Sequence, residues 1–310
     1  MTRIVFMGTP DFSVQVLDAL VANDYEVVGV VTQPDRPVGR KRILTPTPVK
    51  DAALKYEIPV FQPEKIKEDY EQVLLWNPDL IITAAFGQII PKVLLDAPKH
   101  GCINVHASLL PEYRGGAPIH QAIMDGKSET GVTIMYMDVA MDTGDMISKV
   151  VVPIEDEDHT GSMFQKLSHA GAKLLIDTLP KLLAGQLSAQ KQDDSAATFA
   201  WNIKREQELI DWSKPARAVY DQVRGLHPWP VAFTQLEETP VKIWWGKPVG
   251  TTSTEVPGTI TQVSKDGITV ACGDGATFLI TDLQVSGKKR MEVAALLNGG
   301  HPFGVGKKLG

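Results

Sequence analysis

The sequence predicts an α/β fold with a mostly parallel sheet, followed by a second domain that forms a small β-barrel. Three observations carry this. Short β-branched runs alternate with helical stretches through the first half of the chain. The character changes after Ala184, where a polar stretch lacks sustained periodicity. Beyond it, short strand-like runs recur at close spacing, punctuated by Gly, Pro and Asp. The organisation expected is an α/β domain over 1–184, a linker over 185–207 and a barrel domain over 208–310.

The strands of the first domain read as buried apolar runs: Arg3–Phe6, Glu26–Thr32, Leu80–Thr83 and Cys102–His106. Helical stretches lie between them at Asp11–Ala22, Pro48–Tyr56, Asp69–Trp76 and Pro91–Leu95. Thr47 at N-cap and Pro48 at the first helical position mark a sharp helix start. Gly131–Asp138 and Met146–Ile154 read as two strands joined by the Val139–Asp145 loop. A long helix, Ser162–Leu183, places Phe164, Leu167, Leu174, Leu175 and Leu179 at helical spacing. In the second domain a helix over Pro215–Arg224 precedes strands at Val241–Trp245, Gly258–Val263, Gly267–Ala271 and Thr277–Leu283. A final helix, Met291–Leu297, leads into a Gly/Lys tail.

Length and composition bound the function. The 310 residues are 43% apolar and 22% charged, which excludes disordered, collagenous and membrane chains. No apolar run suits a signal peptide or approaches the roughly 18 residues of a membrane span, so a cytoplasmic protein is expected. Cys102 and Cys272 stand alone, with no zinc-type spacing around them. Met7–Pro10 occupies the place of a nucleotide-binding glycine loop, but it is neither GxGxxG nor GxxxxGK[ST]. GxSxG and HExxH are absent as well.

The net charge of −6 at first argues against a nucleic-acid partner. It is unevenly spread. Residues 33–50 carry Arg36, Arg40, Lys41, Arg42 and Lys50 against Asp35, a net +4 in a connection far longer than the usual 2–6 residues or so. The tail from Val285 carries Lys288, Lys289, Arg290, Lys307 and Lys308 against Glu292, again +4. An acidic body therefore bears two basic segments.

The densest polar cluster runs from Asn104 to Gly116, at the carboxyl end of a strand, where open α/β sheets place ligands. Asn104 and His106 share one face of that strand, with Ser108 beyond them. An amide donor beside an imidazole suits an oxyanion forming at a carbonyl under attack. An aspartate of the Met137–Asp145 segment is the natural third member. Spacing alone leaves Asp138, Asp142 and Asp145 open, and each can equally be a turn residue.

Met7–Phe12, Thr32–Pro37, Ala84–Gly87, Ile103–Pro111, Tyr113–Pro118 and Met141–Asp145 together resemble the methionyl-tRNA formyltransferases, within the wider folate-dependent formyltransferase group. The likeness continues through Ile210–Trp212, Pro228–Pro230, Pro257–Ile260, Gly287–Arg290 and Leu296–Asn298. It implies a Rossmann-like formyltransferase domain and an OB-like C-terminal domain that binds tRNA. It implies transfer of the formyl group of 10-formyltetrahydrofolate to the amino group of methionyl initiator tRNA, with no metal. By motif, Asn104, His106 and Asp142 form the catalytic set. Ser108, Leu109, Leu110 and Pro111 border the folate, with Phe86, Gly87, Gln88 and Val139 lining the same pocket. Arg36, Arg40, Lys41 and Arg42 clasp the acceptor end of the tRNA, and Lys288, Lys289 and Arg290 form the second expected contact. Ala200–Ile203 departs from the family's pattern of a smaller residue and a lysine at this place. A monomer is expected.

Two other readings stay open on sequence. A formyltransferase for a small amine, or a formyltetrahydrofolate hydrolase, shares the Asn/His/Asp logic but leaves the basic loop and barrel unexplained. A non-catalytic RNA-binding protein leaves the Asn104/His106/Asp142 set unexplained.

Overall fold

The computed structural model describes every residue except Arg40, and the side chain of every other residue except Thr251. The chain divides into two compact units. The first takes in Met1–Pro118, Glu129–Pro153 and Phe164–Trp201; the second takes in Ile119–Ser128, Ile154–Met163 and Asn202–Gly310.

Up to the long helix the elements run β1 (Arg3–Gly8), α1 (Asp11–Ala22), β2 (Glu26–Val31), β3 (Arg36–Val38), β4 (Ile43–Thr45), α2 (Pro48–Lys55) and β5 (Val60–Phe61). They continue as α3 (Glu71–Leu75), β6 (Leu80–Ala84), α4 (Lys92–Asp96), β7 (Cys102–His106), α5 (Pro118–Met124), β8 (Glu129–Tyr136), β9 (Met146–Pro153) and α6 (Thr160–Leu183). The sheet of the first unit has the order β5-β2-β1-β6-β7-β8-β9. Its first five strands are parallel, and β8 and β9 run antiparallel. Ile4, Val5, Phe6 and Met7 of β1 and Leu80, Ile81 and Ile82 of β6 are wholly buried, as strands covered on both faces must be. Thr47 accepts from the Lys50 amide at 3.1 Å and caps α2, a contact worth about 1 kcal/mol.

The structure adds three features to the sequence reading. The two strands after residue 129 pair antiparallel, because the Met137–Asp145 connection is too short for the crossover of about a dozen residues that parallel pairing needs. The 33–50 segment is not one loop: it folds into the exposed β3–β4 hairpin and the start of α2. β5 and α5 carry too short a pattern to read in advance.

The second unit adds α7 (Arg205–Glu208), α8 (Ala216–Gly225), β10 (Phe233–Leu236), β11 (Thr239–Thr252), β12 (Ile260–Ser264), β13 (Gly267–Ala271), β14 (Ala276–Val285), β15 (Met291–Glu292) and α9 (Val293–Leu296). Its antiparallel sheet runs β10-β11-β14-β13-β12, with β15 on β14. The Gly/Lys tail has a structural role that its composition hides. Lys308 bridges to Thr259 beside β12, and Leu309 bridges to Leu236 in β10. The Leu309 amide donates to Gly258 and the Gly310 amide to Gln235, at 2.8 and 2.9 Å. The tail thus joins the two edge strands and closes the sheet into a barrel, which removes its open edges.

Candidate active site

β2 lies on one side of β1 and β6 on the other, so the carboxyl ends of β1 and β6 flank a topological switch point, the place where such sheets bind ligands. β7 follows β6, and Asn104 pairs in register with Thr83 of β6. The Thr83 hydroxyl donates to Asn104 Oδ1 at 2.8 Å. In this arrangement Oδ1 faces Thr83 and the Nδ2 hydrogens point away from that contact.

His106 is buried. Its Nε2 lies 3.1 Å from the Tyr113 carbonyl. A carbonyl can only accept, so Nε2 carries a hydrogen, and in the neutral ring Nδ1 is left with its lone pair. Nδ1 faces Asp142 Oδ1 at 3.8 Å. The other carboxylate oxygen, Oδ2, accepts from the Gly115 amide at 2.8 Å. Of the three aspartates that spacing left open, Asp142 is the one set against His106; the Asp138 carboxylate accepts from the adjacent Val139 amide. Asp142 has φ 54°, in the left-handed region that few L residues adopt, Asp among them. Glycine is required on both sides of it. A Cβ at Gly144 would stand 1.8 Å from the Tyr136 carbonyl, and one at Gly115 (φ 122°) 2.6 Å from the Ala200 carbonyl.

The Ser108–Pro111 turn is anchored to β8. The Thr133 hydroxyl donates to the Ser108 carbonyl at 2.7 Å and accepts from the Leu110 amide at 3.2 Å. Ser108 Oγ is itself engaged with the Glu112 carbonyl, and Lys149 holds the Leu110 carbonyl. Burial pushes the Lys149 pKa down. Leu109 and Pro111 are half-buried. Phe86 is buried in the core, while its carbonyl accepts from Thr9 and Gln33. Gln88 spends its side chain on Gln33, Pro63 and the Ile66 amide. Gly87 and Val139 are open to solvent. Cys102, on β7, is no nucleophile: burial pushes its thiol up to about 12.

The basic residues differ among themselves. Arg40 lies outside the described residues. Arg36 is paired with Glu64 at 2.7 Å and Lys50 with Asp35 at 2.6 Å. Hydrogen bonds from Gln62 and then Lys50 hold the Asp35 carboxyl below its usual range. Among the described residues no ion pair engages Lys41 or Arg42, and both are exposed on the hairpin beside exposed Val38, Ile43 and Leu44. In the second unit Lys288 and Lys289 are exposed, whereas Arg290 is bound to Asp282 at 2.8 Å and lies over the Trp244 ring.

Sequence reading missed Thr83, Gln192 and the Gly115 amide. Gln192 bonds the carbonyls of Asp142 and Gly144 from within the segment read as a linker. A polar residue ending the apolar β6 run was a signal for Thr83; nothing local marks Gln192.

Amide donor, imidazole and carboxylate at the carboxyl ends of the sheet suit a group transfer at a carbonyl carbon. Residues 2–179 match the formyl transferase family and residues 202–301 the formyl transferase C-terminal domain. The chain belongs to the formyl transferase family, and it is a transferase. It is 60% identical to the methionyl-tRNA formyltransferase of Bacillus subtilis (strain 168), over 97% of this chain and 96% of that protein. Two solved structures share the fold. The N-formyltransferase of Helicobacter canadensis, in complex with folinic acid and dTDP-3-aminofucose, has a TM-score of 0.67 at 18% identity and covers 90% of this chain and 99% of that one. HypX of Aquifex aeolicus, in complex with tetrahydrofolic acid, has a TM-score of 0.66 at 18% identity over 95% of this chain. This chain spans 46% of that longer protein.

Proposed function

We propose that this chain transfers the formyl group of 10-formyltetrahydrofolate to the amino group of methionyl initiator tRNA, giving N-formylmethionyl-tRNA for translation initiation. The observation that carries the choice of substrate is the likeness, over nearly its full length, to a methionyl-tRNA formyltransferase at 60% identity. The site geometry supports the chemistry.

In this reading Asn104 donates from Nδ2 to the formyl oxygen and stabilises the oxyanion as the neutral methionyl amine attacks. His106, held through Nε2 by the Tyr113 carbonyl, takes the amine proton at Nδ1, directly or through one water. The imidazolium then carries a hydrogen toward Asp142, whose fixed negative charge stabilises it. His106 returns the proton to the leaving folate nitrogen as the tetrahedral intermediate collapses, so the proton lost by the amine is the one the folate gains. Ser108–Pro111, Phe86–Gln88 and Val139 border the folate; with the Phe86, Gln88 and Ser108 side chains committed to the protein, they contribute main chain and shape.

Lys41, Arg42, Lys288 and Lys289, exposed and in no ion pair among the described residues, contact tRNA phosphates. Arg36, Arg40 and Arg290 complete the two basic segments. The division of labour is a catalytic domain over 1–184, a linker over 185–207 and a tRNA-binding domain over 208–310, in a cytoplasmic monomer. No helix among the described residues is long and apolar enough to cross a membrane.

The test is formyl transfer from 10-formyltetrahydrofolate to charged initiator tRNA, run beside a nucleotide-linked amino sugar and glycinamide ribonucleotide. Transfer to the tRNA alone is expected. Transfer to a small amine with none to tRNA refutes the reading.

A further inference from the structure

Three consecutive residues hold the His106–Asp142 pair. The Tyr113 carbonyl takes His106 Nε2, and the Gly115 amide takes Asp142 Oδ2. Between them, the Arg114 side chain reaches Asp142 through an intermediary. Arg114 is buried and donates from Nε and Nη2 to Gln192 Oε1 at 3.0 and 2.9 Å. Gln192 is also buried, and its Nε2 donates to the carbonyls of Asp142 and Gly144 at 2.8 and 2.7 Å. Two donors and two acceptor lone pairs exhaust what a primary amide offers, so Gln192 is fully used and its orientation is fixed. Arg114 closes the chain on Asp194 at 2.8 Å. The pinned carbonyls flank Thr143, directly after the left-handed Asp142, a conformation that persists only where surroundings determine it.

The geometry points to Gln192 as a positioning residue for formyl transfer. It sets the main chain of Asp142 so that one carboxylate oxygen meets the Gly115 amide and the other faces His106 Nδ1. Arg114 keeps the donor end of the Gln192 amide toward the loop. The segment between α6 and α7 is therefore part of the catalytic scaffold rather than only a tether. This inference rests on the reading of Asp142 as catalytic.

Gln192→Glu is the informative variant. It keeps an acceptor for Arg114 and replaces two donors to the loop by an oxygen that repels both carbonyls. Full-length enzyme is assayed with kcat and KM for tRNA and folate, with melting temperature as a check on folding. If Gln192→Glu unfolds, Gln192→Met, which keeps the volume, carries the same test. The expected result is a fall in kcat of about 10–100-fold, as for other residues that orient a reactive group, with KM for both substrates little changed. The loss should also be non-additive with Asp142→Asn: in that background the Gln192 change should cost almost nothing more. Unchanged kcat in a folded Gln192 variant overturns the proposal, as does full additivity, which marks a general structural role. An unaffected Asp142→Asn enzyme instead refutes the assignment of Asp142 itself, so the two failures are distinguishable.

Discussion

Nδ1 of His106 and Oδ1 of Asp142 face one another across 3.8 Å, while the other ring nitrogen, Nε2, is held by the Tyr113 carbonyl on the far side. In the proposed reaction the attacking amine must lose a proton, and Nδ1 is the group placed to take it.

Asn104 donates productively only if its amide is not free to turn over. The Thr83 hydroxyl favours the orientation with Oδ1 inward by donating to it at 2.8 Å. Thr83→Val keeps shape and burial while removing the hydroxyl. We expect kcat to fall about tenfold, the size of one oriented hydrogen bond, with KM for both substrates held. A larger KM with unchanged kcat contradicts this role.

The hairpin cations should contribute unequally. Lys41→Ala and Arg42→Ala are each expected to weaken tRNA binding and to lower the salt slope by about one. Arg36→Ala should do less, since Glu64 already neutralises that charge. Binding measured from 50 to 300 mM salt separates these cases; an Arg36 effect larger than both others contradicts the assignment.

Leu309 tests the barrel closure. It is 1% exposed and joins β10, so Leu309→Ala is expected to destabilise the second unit by about 2–5 kcal/mol. Denaturant unfolding should show it. A change below 0.5 kcal/mol would mean the tail merely rests on the barrel.

Three histidines of the second unit give a pH signature. Burial is the largest cause lowering the pKa of His120, His159 and His227. His227 is also lowered by His159 and Arg290, while Asp282 opposes; Asp158 opposes at His159. A folded pKa below the ordinary 6.5 means that stability is fully present above that value and is lost as pH falls toward the folded pKa. The melting temperature should drop between pH 7.5 and 5.5. The drop should be smaller in His159→Phe, which keeps the edge-to-face contact with His227. Equal drops in the two proteins contradict this origin.

Much of this was legible in the sequence where one physical pattern dominated. The apolar runs at Ile4–Met7 and Leu80–Ile82 could only be buried strands, and Thr47–Pro48 could only begin a helix. Strand alternation placed Asn104 and His106 together. What was hidden depends on contacts distant in sequence. Spacing alone could not tell Asp142 from Asp138 and Asp145, and only the family likeness chose it; in the structure β7, β8 and the Gly115 amide fix the loop. Gln192 lies 50 residues beyond the carbonyl it holds. The Lys308–Leu309 tail reads as solvated until the barrel edges meet it.

In the proposed reaction His106 moves the amine proton and Asp142 stabilises it there. The most direct measurement is the single-turnover rate of formyl transfer with both substrates saturating, for Asp142→Asn and His106→Ala against the unsubstituted enzyme. The account predicts a fall of about 100-fold or more in each variant, with tRNA affinity and folding retained. A near-normal transfer rate in either folded variant, or a loss confined to tRNA affinity, contradicts it.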